Sequence, residues 1–193
     1  MNKFIESKAI LKGHFVLSSG LHSDTYMQCA RIFMNPKIAE KLCCDLMLKV
    51  QSRFGSDFAD IIVAPALGGV VIGYEMGKQL QLNTVFCERV NNQFEFRRGF
   101  EIPENARVLV VEDVITTGKS SLETFAAIQK ANGKVVAECC LVDRSSENLE
   151  EILGVPVVSL IKINVETFRE EDVPDYLKMV PITRPGSRFI SKI

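Results

Sequence analysis

Along the chain, apolar and polar positions fall into a succession of helix and strand patterns. Residues 2–12 have the mixture of a short helix, and a polar stretch, His22-Ser23-Asp24-Thr25, follows between short apolar pieces. Pro36 opens a long helical pattern in which Ile38, Leu42, Leu46, Val50 and Phe54 recur every fourth residue, with Cys43 and Met47 widening the stripe. Proline is tolerated in a first helical turn because its missing N–H had no partner there. Gly55 is placed to end the helix.

A repeated strand–helix unit comes next. The apolar run Ile61-Ile62-Val63-Ala64 suits a strand covered on both faces. It ends at Pro65, and a turn with Gly68 and Gly69 leads into a helix reaching about residue 80. Residues 84–87 predict a second strand and residues 108–111 a third, followed by a loop and a helix over about 120–131 that Gly133 closes. Residues 135–142 predict a fourth strand and residues 157–163 a fifth. This alternation predicts an α/β fold, a mostly parallel, twisted sheet flanked by helices. In such folds ligands bind at the carboxyl ends of the strands.

Residues 88–101 break the rhythm. Asn91-Asn92 is a turn signal, and Phe94 and Phe96 alternate with Gln93, Glu95 and Arg97, which reads as a hairpin excursion too polar for the core. The chain reads as one domain, with a core over about 56–164 and a small cap from about 1–55 and 165–193. Pro174, Pro181 and Pro185 argue against one long helix in the tail.

Composition narrows the function classes. Hydrophobic residues make up 47% of the 193 and charged residues 24%, enough for a full core. The formal net charge of -1 gives no field that favours nucleic acid. Charges interrupt the N-terminus too often for a signal peptide, and no apolar run approaches the roughly 20 residues that span a bilayer. A soluble, cytoplasmic protein is expected. The six cysteines (Cys29, Cys43, Cys44, Cys87, Cys139 and Cys140) contain no Cys-x-x-Cys and read as buried thiols. The two histidines, His14 and His22, are not in a metal-ligand spacing.

The chemistry concentrates in residues 108–121, Val-Leu-Val-Val-Glu-Asp-Val-Ile-Thr-Thr-Gly-Lys-Ser-Ser. A turn feeding a helix N-terminus aims unpaired backbone N–H groups at one point, with the positive dipole end behind them. Threonine and serine hydroxyls add donors, and Gly118 permits close approach and a positive φ. Glu112 and Asp113, at the strand end, are strong acceptors for neighbouring hydroxyls such as those of a ribose. One end of the segment suits a phosphate and the other a diol. Gly118-Lys119-Ser120 copies the end of a triphosphate-binding loop, but Asp113 stands where that motif needs glycine and would repel polyphosphate. Helix capping by Asp113 or Thr117 would explain one such residue, not two acids and a hydroxyl-rich turn.

This segment resembles the signature of the type I phosphoribosyltransferases. Leu17-Ser18-Ser19-Gly20-Leu21-His22-Ser23, Ala64-Pro65-Ala66-Leu67-Gly68-Gly69 and Glu88-Arg89 with Arg97-Arg98-Gly99-Phe100 are similar to motifs of its orotate branch, and Pro185-Gly186-Ser187-Arg188 agrees. The resemblance implies binding of 5-phosphoribosyl 1-diphosphate with Mg2+ and transfer of the phosphoribosyl group to orotate with inversion. It implies that Glu112 and Asp113 hold the ribose hydroxyls. Val114 and Ile115 would line the substrate, and Thr116, Thr117, Gly118, Lys119 and Ser120 would cradle the 5-phosphate, with Thr116 also reaching orotate. Ser19 belongs to the N-terminal motif and Gly68 to the diphosphate turn. Arg144, which taken alone reads as a partner of Asp143 or Glu147, would pair with the orotate carboxylate. Arg98, in a mobile loop over 90–99, and Arg89, at its edge, would serve catalysis, and the loop would act in a neighbouring subunit, implying a homodimer. The metal would be held by substrate and water, with no protein ligands. The better-known branch has lysine where Ser18 and Gly68 stand here, and its loop carries lysines and a histidine instead of these arginines. The alternatives are a purine-base transferase and a non-catalytic sensor of the same sugar phosphate.

Overall fold

The computed structural model of the chain describes residue 4, residue 7, residues 9–17 and residues 20–184. In chain order the elements are β1 (Ile10–Val16), β2 (His22–Met27), a 3-10 turn (Cys29–Met34), α1 (Pro36–Phe54), β3 (Ile61–Pro65), α2 (Gly69–Leu80), β4 (Asn83–Val90), β5 (Gln93–Phe96), β6 (Arg107–Ile115), α3 (Lys119–Lys130), β7 (Lys134–Asp143), α4 (Leu149–Leu153), β8 (Val157–Lys162), β9 (Thr167–Phe168), a second 3-10 turn (Glu170–Asp172), α5 (Asp175–Lys178) and β10 (Ile182–Thr183). They form two compact units, one of Phe33–Ile163 and one of Met1–Ile32 with Asn164–Ile193.

The larger unit is built on a six-stranded sheet ordered β5-β4-β3-β6-β7-β8. All its neighbouring strands are parallel except β5, which returns antiparallel along β4. Because side chains alternate across a strand, each face needs its own cover. Ile61, Val63, Val108, Val110 and Cys140 share a core with Phe125 and Ile128 of α3. On the other face α2 approaches closely through glycines. A Cβ on Gly73 would lie 2.7 Å from that of Ala64, and one on Gly77 would lie 2.1 Å from the Thr84 Oγ1. The apolar stripe of α1 is buried at Leu42, Cys43, Leu46 and Val50. This helix packs on α2, β7 and β8, so residues 36–54 group with the sheet and not with the N-terminal segment.

Three further features of this unit depart from the expectations. β6 continues to Ile115, because Glu112, Val114 and Ile115 pair with Cys140, Val142 and Asp143 of β7. The acids therefore ride on the strand instead of following it. The hairpin forms through Asn91 and Asn92, both at positive φ as a tight two-residue turn requires. Phe94, expected in an excursion too polar for the core, is buried and joins the core under α3, while the Arg89 guanidinium covers its ring at 4.4 Å. The short helix α4 was not expected. Its signal is Asn148, whose side chain accepts from the Glu150 N–H at 3.1 Å.

The smaller unit carries a four-stranded sheet ordered β10-β1-β2-β9. Residues 10–12, expected in a helix, lie on β1 and pair with Met27, Tyr26 and Thr25 of β2. The polar stretch at 22–25 is a strand because its buried polar groups find partners. His14 Nε2 and His22 Nδ1 are 2.6 Å apart, and the Ser23 hydroxyl donates to the Glu166 carbonyl at 2.8 Å. The tail is broken into short pieces, as its prolines require. All six cysteines are free thiols, and all but Cys44 are buried.

One residue sits against the hydrophobic logic of the sheet. Glu138, in the middle of β7, is fully buried, and among the described residues the Ser121 hydroxyl is the one side chain that hydrogen-bonds toward its carboxyl, at a geometry too loose to satisfy either oxygen. Burial pushes its carboxyl up to about 8. The folded chain thus keeps a proton that an unfolded chain gives up in the ordinary carboxylate range, and stability falls as pH rises through that window toward 8. Glu138→Leu removes the penalty at similar volume. It is expected to raise the thermal midpoint by several degrees at about pH 8.5 and by less at about pH 6. A midpoint difference that does not change with pH would contradict this.

Candidate active site

The parallel strands β3 and β6 are neighbours, and each ends in a turn that opens a helix. At both openings the helix N-terminus lacks a side-chain cap. Gly68 precedes α2 and Gly118 precedes α3, and neither first turn contains an acid. By contrast, α1 is capped by Asn35, which accepts from the N–H groups of Lys37 and Ile38. Two helix ends with open N–H groups make an anion-binding edge. The capping role considered for Asp113 and Thr117 is reduced to a long 3.4 Å contact from the Lys119 N–H to the Thr117 hydroxyl.

Gly118 is required twice over. Its φ is +72°, and a Cβ there would lie 2.9 Å from the Leu153 Cδ2. The turn leaves Thr116, Thr117 and Lys119 exposed and Ser120 half-buried, within reach of a ligand apart from the Ser120 hydroxyl, which is engaged with Glu112. Val114 is half-buried and Ile115 is buried.

The acids at the tip of β6 alternate across the sheet. Asp113 lies toward the α2 turn, where a Cβ on Gly68 would sit 2.8 Å from the Asp113 Oδ1. Glu112, 7% exposed, lies on the α3 face. Burial pushes both carboxyls above their ordinary range. Glu112 is raised further by the neighbouring charges of Asp113 and Glu138, partly offset by the Ser120 hydroxyl.

Arg144 follows β7, and its N–H donates to the Ile115 carbonyl at 2.9 Å, which fixes it beside the end of β6. Asp143, beside it in the chain, has contacts of its own. It accepts from the Ser145 N–H and hydroxyl at 2.8 and 2.6 Å and pairs with Lys162 at 3.2 Å.

The two loop arginines are held by acids of the same unit. Arg98, at φ +60°, forms a fork with both Glu88 oxygens at 2.6 and 3.2 Å, and its guanidinium holds the Glu88 carboxyl below the usual range. Arg89 pairs with Glu123 of α3 and donates to the Asn92 carbonyl at 3.0 Å. Arg97 is exposed. Ser18, Ser19 and residues 185–188 lie outside the described residues. Sequence reasoning overlooked Glu138. Its signal was a lone acid inside the apolar run from Val135 to Val142. Among the described residues no group of three or more His, Cys, Asp or Glu side chains could hold a metal ion, and no helix is long and apolar enough to cross a membrane.

Comparison with known proteins identifies the family. The family profile described as phosphoribosyl transferase domain matches residues 37–173. The chain is 46% identical over 188 residues to an orotate phosphoribosyltransferase of Erythrobacter litoralis, covering 97% of this chain and 96% of the relative. It is 45% identical over 185 residues to one of Carboxydothermus hydrogenoformans, covering 96% and 95%. Its fold is similar to the crystal structure of orotate phosphoribosyltransferase from Aeropyrum pernix, with a TM-score of 0.68, 26% identity and coverage of 84% of this chain and 92% of that one.

Proposed function

Because the chain belongs to the phosphoribosyl transferase family, among the orotate phosphoribosyltransferases, we propose that the β6 tip and the turn into α3 grip the two ends of 5-phosphoribosyl 1-diphosphate. The activity is transfer of its phosphoribosyl group to orotate, giving orotidine 5'-phosphate and diphosphate in pyrimidine biosynthesis. Relatives this similar over nearly the whole chain do not favour a purine base or a sensor role. The observation that carries the site assignment is the convergence of an acidic strand tip with two uncapped helix N-termini at the carboxyl edge of adjacent parallel strands.

In this reading Glu112 and Asp113 accept hydrogen bonds from the ribose hydroxyls and place negative charge beneath a ring that becomes electron-poor. Thr116, Thr117, Gly118, Lys119 and Ser120 donate to the 5-phosphate, with Val114 and Ile115 forming the strand edge beside them. The Arg144 guanidinium grips the orotate carboxylate in two places, with Thr116 beside it at the base site. The N-terminal end of α2 at Gly68 receives the diphosphate. Positioning the two reactants and stabilising spread charge supply most of the rate.

Magnesium fits a site of this kind as a passenger of the substrate, since the ion prefers phosphate oxygens and water to an all-protein cage. When bound it neutralises charge on the leaving diphosphate. Arg89 and Arg98 complete that neutralisation by exchanging Glu123 and Glu88 for diphosphate oxygens. Both ion pairs are partly open to solvent, which screens them and lets the guanidiniums exchange partners.

We assign the loop over 90–99 to the site of a second copy in a homodimer. Supporting this, Leu67, Val71 and Tyr74 present an apolar stripe at the start of α2, 87%, 49% and 72% exposed. Arg98→Ala should then regain activity when mixed with Asp113→Asn protein, because one hybrid site carries neither lesion. Mixtures no more active than the sum of the parents would assign the loop to its own subunit. A cytoplasmic location and small-molecule partners without nucleic acid belong to the same reading. The direct test is loss of orotate absorbance with purified protein, magnesium and the sugar donor. An unchanged orotate signal alongside turnover of adenine or hypoxanthine would move the assignment to a purine base.

A further inference from the structure

Of the buried ionisable groups the mechanism leaves unused, Glu138 lies nearest the group that mechanism needs most. Glu138 on β7 is paired in register with Val110 of β6, and Cys140, two residues on, is paired with Glu112. Parallel neighbours in register share a face, so Glu138, Val110, Cys140 and Glu112 all look toward α3. The helix covers them with Ser121 and Thr124, both buried. Val157 of β8 closes the far side of Glu138. The other ionisable groups facing this cluster are thiols, Cys140 from β7 and Cys87 from β4. Burial pushes Cys87 up to about 11 and Cys140 well above the ordinary thiol range, so both stay neutral. Asp113 and Cys139 lie on the opposite face. Arg89 is felt at Cys87 and is engaged with Glu123. Among the described residues no cation forms an ion pair with Glu138 or Glu112.

A buried carboxylate is poorly solvated when charged, and a second one on the same sheet face, one diagonal step along the neighbouring strand, adds to the cost. The pair therefore binds protons that two exposed glutamates would release. A ribose diol, in contrast, donates hydrogen bonds and needs a charged acceptor. We propose that Glu138 and Glu112 act as one proton-sharing pair, in which Glu138 is a positioning residue that sets how readily Glu112 becomes the charged acceptor for the sugar donor. This rests on the placement of Glu112 on the ribose given above. Binding of 5-phosphoribosyl 1-diphosphate then expels a proton from the pair to solvent, and affinity weakens as pH falls. The pair titrates as a unit, so the release belongs to both carboxyls and not to either alone.

The test is titration of full-length protein with magnesium and 5-phosphoribosyl 1-diphosphate between about pH 5.5 and 8. Heats are compared in two buffers of different ionisation enthalpy to count the protons released. Subtracting a variant from the native chain removes the protons that come from the ligand itself. In Glu138→Gln one of the two acids that raise Glu112 is gone while Asp113 stays, so Glu112 ionises at lower pH. The acid limb of affinity should move down by at least about half a pH unit, and fewer protons should be released near pH 6.5. Glu138→Leu should behave alike, which separates the effect from any new amide hydrogen bond. An unmoved limb and proton count in both folded variants would overturn the proposal. Unchanged affinity in Glu112→Gln would overturn the ribose placement itself, and so also what is built on it.

Discussion

Asp113→Asn is expected to lower turnover by at least tenfold, about 1.4 kcal/mol of transition-state stabilisation, with the thermal midpoint held or slightly raised. Asp113 is half-buried, and its Oδ1 accepts the Val114 N–H at 3.0 Å. Asparagine keeps the volume and that acceptor but loses the charge and turns one edge into a donor facing the ribose hydroxyls. Folding should not suffer, because burial already raises this carboxyl above its ordinary range. A group whose charge the fold disfavours adds no stability by ionising, so a neutral replacement removes a penalty. Steady-state kinetics beside a melting curve separates the two effects. Unaltered kinetics would contradict the role given to the strand tip.

Arg144→Ala should act on the other reactant. A charge-assisted pair between guanidinium and carboxylate is worth about 1.5–3 kcal/mol, so KM for orotate should rise by about ten- to a hundredfold while KM for the sugar donor stays near its native value. The tie from the Arg144 N–H to Ile115 is a backbone bond that the substitution leaves in place. Lysine should not restore the loss, since a single ammonium cannot hold a planar carboxylate in two places. The preference for orotate over uracil, which lacks the carboxylate, should narrow in proportion. An orotate KM that does not move would return Arg144 to an ordinary surface role.

The site was largely legible because its chemistry is local. Four apolar residues, two acids and a hydroxyl-rich turn are contiguous, and the same stretch forms the strand, the tip and the helix start. What the sequence hid was non-local. The extension of β6 through Glu112 to Ile115 depends on pairing with β7, a partner more than twenty residues away. β1 and β2 look helical or merely polar until they pair and bury His14, His22 and Ser23 among hydrogen bonds. Phe94 looked exposed because its neighbours Gln93 and Glu95 are polar, yet alternation turns it inward beneath α3. The membership of α1 was obscured for a related reason. Its apolar stripe was plain, but the surface that receives it, made by α2, β7 and β8, lies far along the chain. Glu138 was visible as an acid in an apolar run, but its position under Glu112 follows only from strand register.

The central claim is that one activated pentose is held at the tip of β6 and at the two helix N-termini beside it. Amide hydrogen exchange, followed with and without 5-phosphoribosyl 1-diphosphate and magnesium, tests it at the level of residues. The account predicts new protection over residues 112–120 and 67–70, with α1 and β8 unchanged. Binding that leaves those two turns exchanging as before, or folded protein that fails to bind at all, would contradict it.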